Sequence, residues 1–176
     1  MPASTAPSCL LVVDVQTQFI NEHTRHLPAA IQALLPRFDW VFASRLLPDP
    51  ASPIARWKGY LPAAATDPAS ALAIDLGQRA AARTTLVEKT GFGLVTPAVG
   101  AQLQSLGVTT AHIVGVDTDL CVLRTAGDLL ALNIRPVVLT DLVASTAGEP
   151  LHSSALLILK RMLGRAQLTT SATLPA

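Results

Sequence analysis

The chain has 176 residues, of which 50% are hydrophobic and only 14% are charged. A chain of this length and apolarity can bury a substantial core and is not disordered, so we expect residues 1–176 to form a single domain. The formal charge of +1, without a block of like charge, excludes the basic face that a nucleic-acid-binding protein needs.

Short apolar runs rich in Val, Ile and Leu alternate with segments of helical character along the chain. The runs show little period-2 alternation, as expected of strands that are covered on both faces. The predicted strands are residues 9–15, 40–43, 84–88, 111–116 and 135–140, with a short strand near the C-terminus. The predicted helices are residues 27–35, 70–80, 96–106, 120–132 and 151–163. This order predicts a three-layer α/β domain with a mostly parallel sheet.

The segment 48–70 departs from this alternation. It is rich in proline and contains Trp57 and Tyr60. Connections of this length usually cover an active site or contact another subunit. We expect one of these roles for this segment.

Neither a membrane span nor a secretion signal is indicated. The longest uncharged stretch, residues 90–116, contains Pro97 and many polar residues, so it is too polar to cross a membrane. A signal peptide requires a positive charge before its apolar run, and here no Lys or Arg precedes the first apolar run. We therefore expect a cytoplasmic protein in which Cys9 and Cys121 are thiols.

Three chemically reactive residues follow or end predicted strands. In a parallel sheet the strands end at one edge, where ligands bind. This edge receives Asp14 from the end of the first strand, Lys89 from the end of the third, and Cys121 near the start of the helix that follows the fourth. The helix start and Lys89 are expected to stabilise a Cys121 thiolate. Asp14 is expected to move protons, and backbone N–H groups before Cys121 to bind an oxyanion, which together predicts acyl transfer to the thiol followed by hydrolysis.

Each of these residues also has a structural interpretation. Cys9 is best explained as a small buried hydrophobe, and Cys121 alone fits a core position as well as it fits a nucleophile. Lys89 alone is an ordinary charge at a strand end. Asp14 is harder to explain as structure, because a carboxylate within LLVVDV would be buried and needs a partner. The combination favours the catalytic interpretation.

Three segments together resemble the isochorismatase-like cysteine hydrolases: LLVVDVQTQF, EKTGF and GVDTDLCVLRTAGDLLALN. The resemblance covers nearly the whole chain and implies a Rossmann-like three-layer α/β/α sandwich with a mostly parallel six-stranded sheet. It also implies a catalytic triad of Asp14, Lys89 and Cys121. A cis peptide bond between Val116 and Asp117 is implied too, with the N–H groups of Asp117 and Cys121 directed to the substrate oxygen.

The resemblance also raises the question of a metal, because nicotinamidases of this family carry a cluster of one Asp and several His after the second strand. Here Asp49 is the only acid in that stretch, and it contains no His. The four histidines are scattered at positions 23, 26, 112 and 152. We therefore expect no metal and no other cofactor.

Candidate residues for a substrate pocket lie near the triad or in the proline-rich segment. They are Phe19, Arg45, Trp57, Tyr60, Phe92 and Thr118. Trp57 fits core or dimer packing equally well. Arg45 either binds a substrate carboxylate or pairs at the surface.

The sequence therefore predicts a metal-independent cysteine hydrolase that cleaves a C–N bond of a small carboxamide or ureido substrate. One alternative is an isochorismatase-type hydrolase of a vinyl ether, which needs an acid but no thiol. Another is a non-catalytic member of the fold that binds a small molecule or builds an oligomer. Because the apolar surplus needs an interface to cover it, we also expect a homo-oligomer, a dimer or a tetramer.

Overall fold

Six parallel strands form one sheet in the computed structural model, which describes residues 7–77 and 81–174. Their order across the sheet is β3-β2-β1-β4-β5-β6. The strands are β1 (Cys9–Val13), β2 (Trp40–Leu46), β3 (Thr84–Lys89), β4 (Thr110–Gly115), β5 (Arg135–Val143) and β6 (Leu168–Thr169). The order reverses between β1 and β4, and α/β folds bind ligands at such a switch point.

Helices cover both faces of this sheet. They are α1 (Leu27–Leu34), α2 (Pro97–Ser105), α3 (Leu123–Ala131) and α4 (Glu149–Leu163). Helices α2, α3 and α4 pack on one face, and α1 packs on the other together with residues 72–76. Successive residues of β1 face opposite layers, and both layers are apolar, which explains why its sequence lacks alternation. The predicted three-layer sandwich is confirmed, and the sheet is fully parallel.

The predicted helix over residues 70–80 is wrong for residues 70–77, and residues 78–80 lie outside the described residues. Leu72 instead forms an antiparallel bridge with Gln16, and the N–H of Ala73 donates to the carbonyl of Val15 at 2.8 Å. These hydrogen bonds compete with a helix for the same backbone groups. Leu72, Ala73, Ile74 and Leu76 therefore pack against the sheet from an irregular segment rather than from a helix.

Several element boundaries also differ from the prediction. Strand β1 ends at Val13, because Asp14 has a φ of +48° that cannot continue a strand. Strands β2 and β5 each run three residues further than predicted, to Leu46 and Val143. Both extensions lie at the edge that carries the polar strand-end residues. Among the described residues, no helix has the length and apolarity to cross a membrane.

Candidate active site

Asp14 lies at the carboxyl end of the central strand, with its side chain 2% exposed. Its positive φ turns the chain sharply after β1, a conformation that Asp tolerates better than most residues. The hydroxyl of Ser44 donates to its Oδ1 at 2.7 Å, and the backbone N–H of Asp14 donates back to that hydroxyl at 3.2 Å. Ser44 in β2 therefore orients the carboxylate.

Lys89 ends β3, two strands away, and its side chain is also 2% exposed. Its Nζ donates to Oδ2 of Asp14 at 2.7 Å and to the carbonyls of Gly91 at 2.9 Å and Phe92 at 3.1 Å. The same atom lies 3.7 Å from Sγ of Cys121. The ammonium is therefore fully coordinated, and it joins the carboxylate to the thiol.

The loop after Lys89 is held in place by helix α3. The N–H of Leu94 donates to Oγ1 of Thr125 at 3.1 Å, and this contact is buried. A Cβ at Gly93 would displace the carboxylate of Asp128, so the loop approaches the helix closely at this glycine. The start of α3 thus helps to position the loop whose carbonyls, at Gly91 and Phe92, accept hydrogen bonds from Lys89.

Cys121 belongs to a π-helical turn, Thr118–Val122, that precedes α3. The residue is 6% exposed and borders a cavity. Burial raises the pKa of its thiol well above the usual range, and the charge of Asp14 raises it further, while Lys89 opposes both. Burial and the charge of Asp14 therefore disfavour the thiolate in the free protein, while Lys89 acts in the opposite direction, as expected from the sequence.

The turn that leads into Cys121 is braced from the neighbouring strand. Gly115, with a φ of +111°, ends β4 so close to the backbone of Val13 that a Cβ there would collide with it. The next peptide bond but one, Val116-Asp117, is cis. The carboxylate of Asp117 accepts hydrogen bonds from the N–H of Thr146 at 2.6 Å and from its hydroxyl at 3.1 Å. Burial raises the pKa of Asp117, and the hydrogen bonds from Thr146 oppose this shift.

Two further contacts fix the same turn. The hydroxyl of Thr118 lies 2.9 Å from Nδ1 of His152 in α4, and its N–H donates to the carbonyl of Ala144 at 3.1 Å. The hydroxyl of Ser145 donates to Oδ1 of Asp119. Thr118 and Asp119 therefore anchor the turn that carries Cys121 to the residues after β5 and to α4.

A cavity of about 220 Å³ opens at this edge of the sheet. The lining residues that were named from the sequence are Asp14, Phe19, Tyr60, Phe92, Val116, Asp117 and Cys121. The lining residues that were not named from the sequence are Gln18, Asn21, Leu46, Lys58, Leu120 and Thr146. A signal existed for Lys58, because it lies in the proline-rich segment expected to cover the site.

Arg45, Trp57 and Thr118 are not among the residues that line this cavity. Arg45 forms an ion pair with Glu88 of the adjacent strand. Trp57 is 80% exposed and borders a neighbouring apolar hollow instead. Thr118 is the first residue of the π-helical turn, and it is fully buried, with its hydroxyl against His152.

This geometry is suited to nucleophilic attack by a thiol with proton transfer to a carboxylate. The Lys89 ammonium contacts both the Asp14 carboxylate and the Cys121 sulfur, and all three residues are shielded from bulk water. In such surroundings charge interactions are stronger than in water. The side chains are held by hydrogen bonds before any ligand arrives.

Comparison with known proteins places this arrangement in context. The family model described as Isochorismatase domain matches residues 8–173. An isochorismatase-like hydrolase from Alkaliphilus metalliredigens is 20% identical, with 94% of this chain and 95% of that chain covered and a TM-score of 0.78. A nicotinamidase from Bacillus subtilis is 21% identical, with 93% and 99% covered and a TM-score of 0.77. At these identities the structural likeness concerns the fold. Comparison with curated proteins finds no match.

A third similar structure, a pyrazinamidase of Pyrococcus horikoshii, was solved in complex with zinc. It is 19% identical, covers 93% of this chain and 98% of its own, and has a TM-score of 0.76. Within residues 7–77 and 81–174 of this chain, no three His, Cys, Asp or Glu residues are grouped to hold a metal ion. The residues present therefore do not fit such a centre.

Proposed function

The chain belongs to the isochorismatase family of hydrolases, and from this premise we propose that it cleaves a C–N bond of a small carboxamide or ureido compound through an acyl-enzyme on Cys121. The observation that carries the proposal is the position of the Lys89 ammonium, 2.7 Å from the Asp14 carboxylate and 3.7 Å from the Cys121 sulfur. No separate histidine base is needed, because Asp14 is next to the thiol.

In the first half-reaction Cys121 attacks the carbonyl carbon of the substrate. A C–S bond forms, the thiol proton passes to Asp14, and the carbonyl oxygen becomes an oxyanion. Asp14 then gives this proton to the nitrogen, the C–N bond breaks, and ammonia or an amine leaves. The raised pKa of the Cys121 thiol agrees with this order, because the proton leaves only as sulfur attacks.

In the second half-reaction Asp14 takes a proton from water, and the resulting hydroxide attacks the thioester. The C–S bond breaks, the proton returns to sulfur, and the acid is released. Lys89 transfers no proton in this scheme. It stabilises the carboxylate and the developing thiolate, while the N–H groups of Asp117 and Cys121 receive the oxyanion.

The proposal is tested by an ammonia-release screen over small amides and ureides, with the parent, Cys121→Ala and Cys9→Ala proteins side by side. We expect the parent and Cys9→Ala to release ammonia from at least one compound, and Cys121→Ala to release none above background. Isochorismate is included, with pyruvate as the product measured. Pyruvate release that survives Cys121→Ala but not Asp14→Asn would instead establish the vinyl ether alternative. A parent without any hydrolytic activity would favour a binding protein.

A further inference from the structure

We propose that Lys58 receives a carboxylate of the substrate, so that the compound cleaved is a small amide or ureide with a negative charge at its other end. This inference rests on the proposed hydrolytic function and narrows it to a substrate class.

Lys58 reaches the cavity from the proline-rich segment. It is the last residue of a π-helical turn, Ile54–Lys58, that ends at Gly59 with a φ of +68°. Its Nζ lies 5.7 Å from the ring centroid of Tyr60 and 5.7 Å from that of Phe92. Both rings line the same cavity as Cys121. The two rings hold the ammonium at the cavity wall.

Phe92 connects this ammonium to the triad. The Lys58 ammonium lies over its ring, and its backbone carbonyl accepts a hydrogen bond from Lys89 at 3.1 Å. Both lysines therefore contact Phe92, Lys58 through the ring and Lys89 through the backbone. Lys58 and Cys121 line the same cavity of about 220 Å³.

Among the described residues, no carboxylate forms an ion pair with Lys58. Within the part of the chain that the structure describes, the ion pairs involve Lys89, Arg45, Arg83, Arg124 and His23 but not Lys58. Aromatic rings attract the ammonium without accepting its three hydrogen bonds conventionally. Lys58 is exposed, so its donors are open to solvent or to an incoming ligand, and a carboxylate supplies both an opposite charge and hydrogen-bond acceptors.

The two carboxylates that line the cavity already have partners of their own. Asp14 is paired with Lys89, and both oxygens of Asp117 accept hydrogen bonds from Thr146. Arg45, the cation that the sequence suggested for a substrate carboxylate, is paired with Glu88 away from the cavity. Lys58 is thus the cavity cation left to bind an incoming anion.

The first test compares two alkylating reagents that differ only in charge and does not require the natural substrate. Cys121 of the parent is treated with iodoacetate and with iodoacetamide at low salt, and the ratio of the two rates is normalised to that of 2-mercaptoethanol. We expect Lys58→Met to lower this ratio about threefold or more, as removal of one nearby, partly screened charge should. Lys58→Arg should retain the ratio, and Lys160→Met, which removes an exposed lysine of α4, should leave it unchanged. An equal ratio in the parent and Lys58→Met overturns the proposal.

The second test uses pairs of amides in which only one member carries a charge: oxamate and oxamide, malonamate and malonamide, succinamate and succinamide. We expect kcat/KM of the parent to favour the best-fitting monoamide about tenfold, mainly through KM, and Lys58→Met to bring the ratio of that pair close to one. Hydrolysis of the pairs without a charge preference would refute the role of Lys58 and leave the hydrolase intact. Failure to hydrolyse any pair would weaken the proposed function, and the alkylation ratio would still decide on Lys58.

Discussion

Lys89 donates a hydrogen bond of 2.7 Å to Asp14, and each of the two side chains is only 2% exposed. Burying one charge alone is costly, whereas a hydrogen-bonded pair offsets much of that cost. Removing either partner should therefore be costly, and the same contact takes part in the chemistry proposed for Cys121.

The buried pair predicts a coupled loss of stability. Asp14→Asn and Lys89→Met each leave one charge without its partner, and each should lower the free energy of unfolding by about 3–5 kcal/mol. The double variant should lose clearly less than the sum of the two single losses, because neither charge remains. Urea denaturation of the four proteins measures this coupling, and strictly additive losses would show that the pair is not coupled.

Alkylation of Cys121 should depend steeply on pH. Since burial and Asp14 raise the pKa of its thiol well above the ordinary value of 9.0, the thiolate fraction of the free protein should keep rising with pH beyond that value. The rate with iodoacetamide should therefore increase between pH 7 and 9 without a plateau. Mass spectrometry of the labelled peptides measures this rate. A plateau below pH 8 would indicate that Cys121 is already ionised in the free protein near neutral pH.

Cys9 is the matched control for that experiment. Burial raises its pKa from 9.0 to about 12, and it is fully buried away from the cavity. We expect Cys121 to react faster than Cys9 at every pH at which the protein is folded, because only Cys121 borders the cavity. Equal rates would contradict the accessibility of the site.

Cys9 also predicts a loss of stability in alkaline solution. The folded protein retains the thiol proton up to a pKa of about 12, while the unfolded chain loses it near 9.0. Stability from this group is therefore complete below pH 9 and declines between pH 9 and 12, by about 1.4 kcal/mol at pH 10. Cys9→Val should lack this component in urea titrations at pH 8 and 10. The same decline in Cys9→Val as in the parent would assign it to other groups.

The homo-oligomer expected from the composition stays a prediction. Large apolar side chains of α4 are exposed, among them Leu157 at 69% and Ile158 at 52%. Such residues on one helix are typical of a subunit interface. Static light scattering should give the mass of a dimer or a tetramer, and Ile158→Glu should reduce it. A monomer of 18.4 kDa at micromolar concentration would contradict the expectation.

The sheet and the juxtaposition of Asp14, Lys89 and Cys121 could be predicted because they follow from local pattern and one topological rule. Apolar runs without alternation indicate buried parallel strands, and parallel strands end at one edge. Knowing which residues follow those strands was therefore sufficient to place the three reactive groups together. No long-range packing detail was needed for this step.

The cavity wall could not be predicted in the same way, because the path of the proline-rich segment depends on contacts that no local pattern encodes. The N–H of Ala63 donates to Oε1 of Gln18 at 2.8 Å, and Nε2 of Gln16 donates to the carbonyl of Ser70 at 2.9 Å. Such contacts place Lys58 and Tyr60 in the cavity and leave Trp57 outside it. The protonation state of Cys121 likewise depends on burial and two opposing charges in three dimensions.

Turnover of Cys121→Ala on an amide or ureide that the parent hydrolyses, measured beside Cys9→Ala, tests the proposed nucleophile most directly. We expect Cys121→Ala to lose at least about a thousandfold in kcat, since removal of a nucleophile ends covalent catalysis. Cys9→Ala should retain activity at temperatures where it stays folded. Parent-level turnover by a folded Cys121→Ala protein would contradict an acyl-enzyme on Cys121.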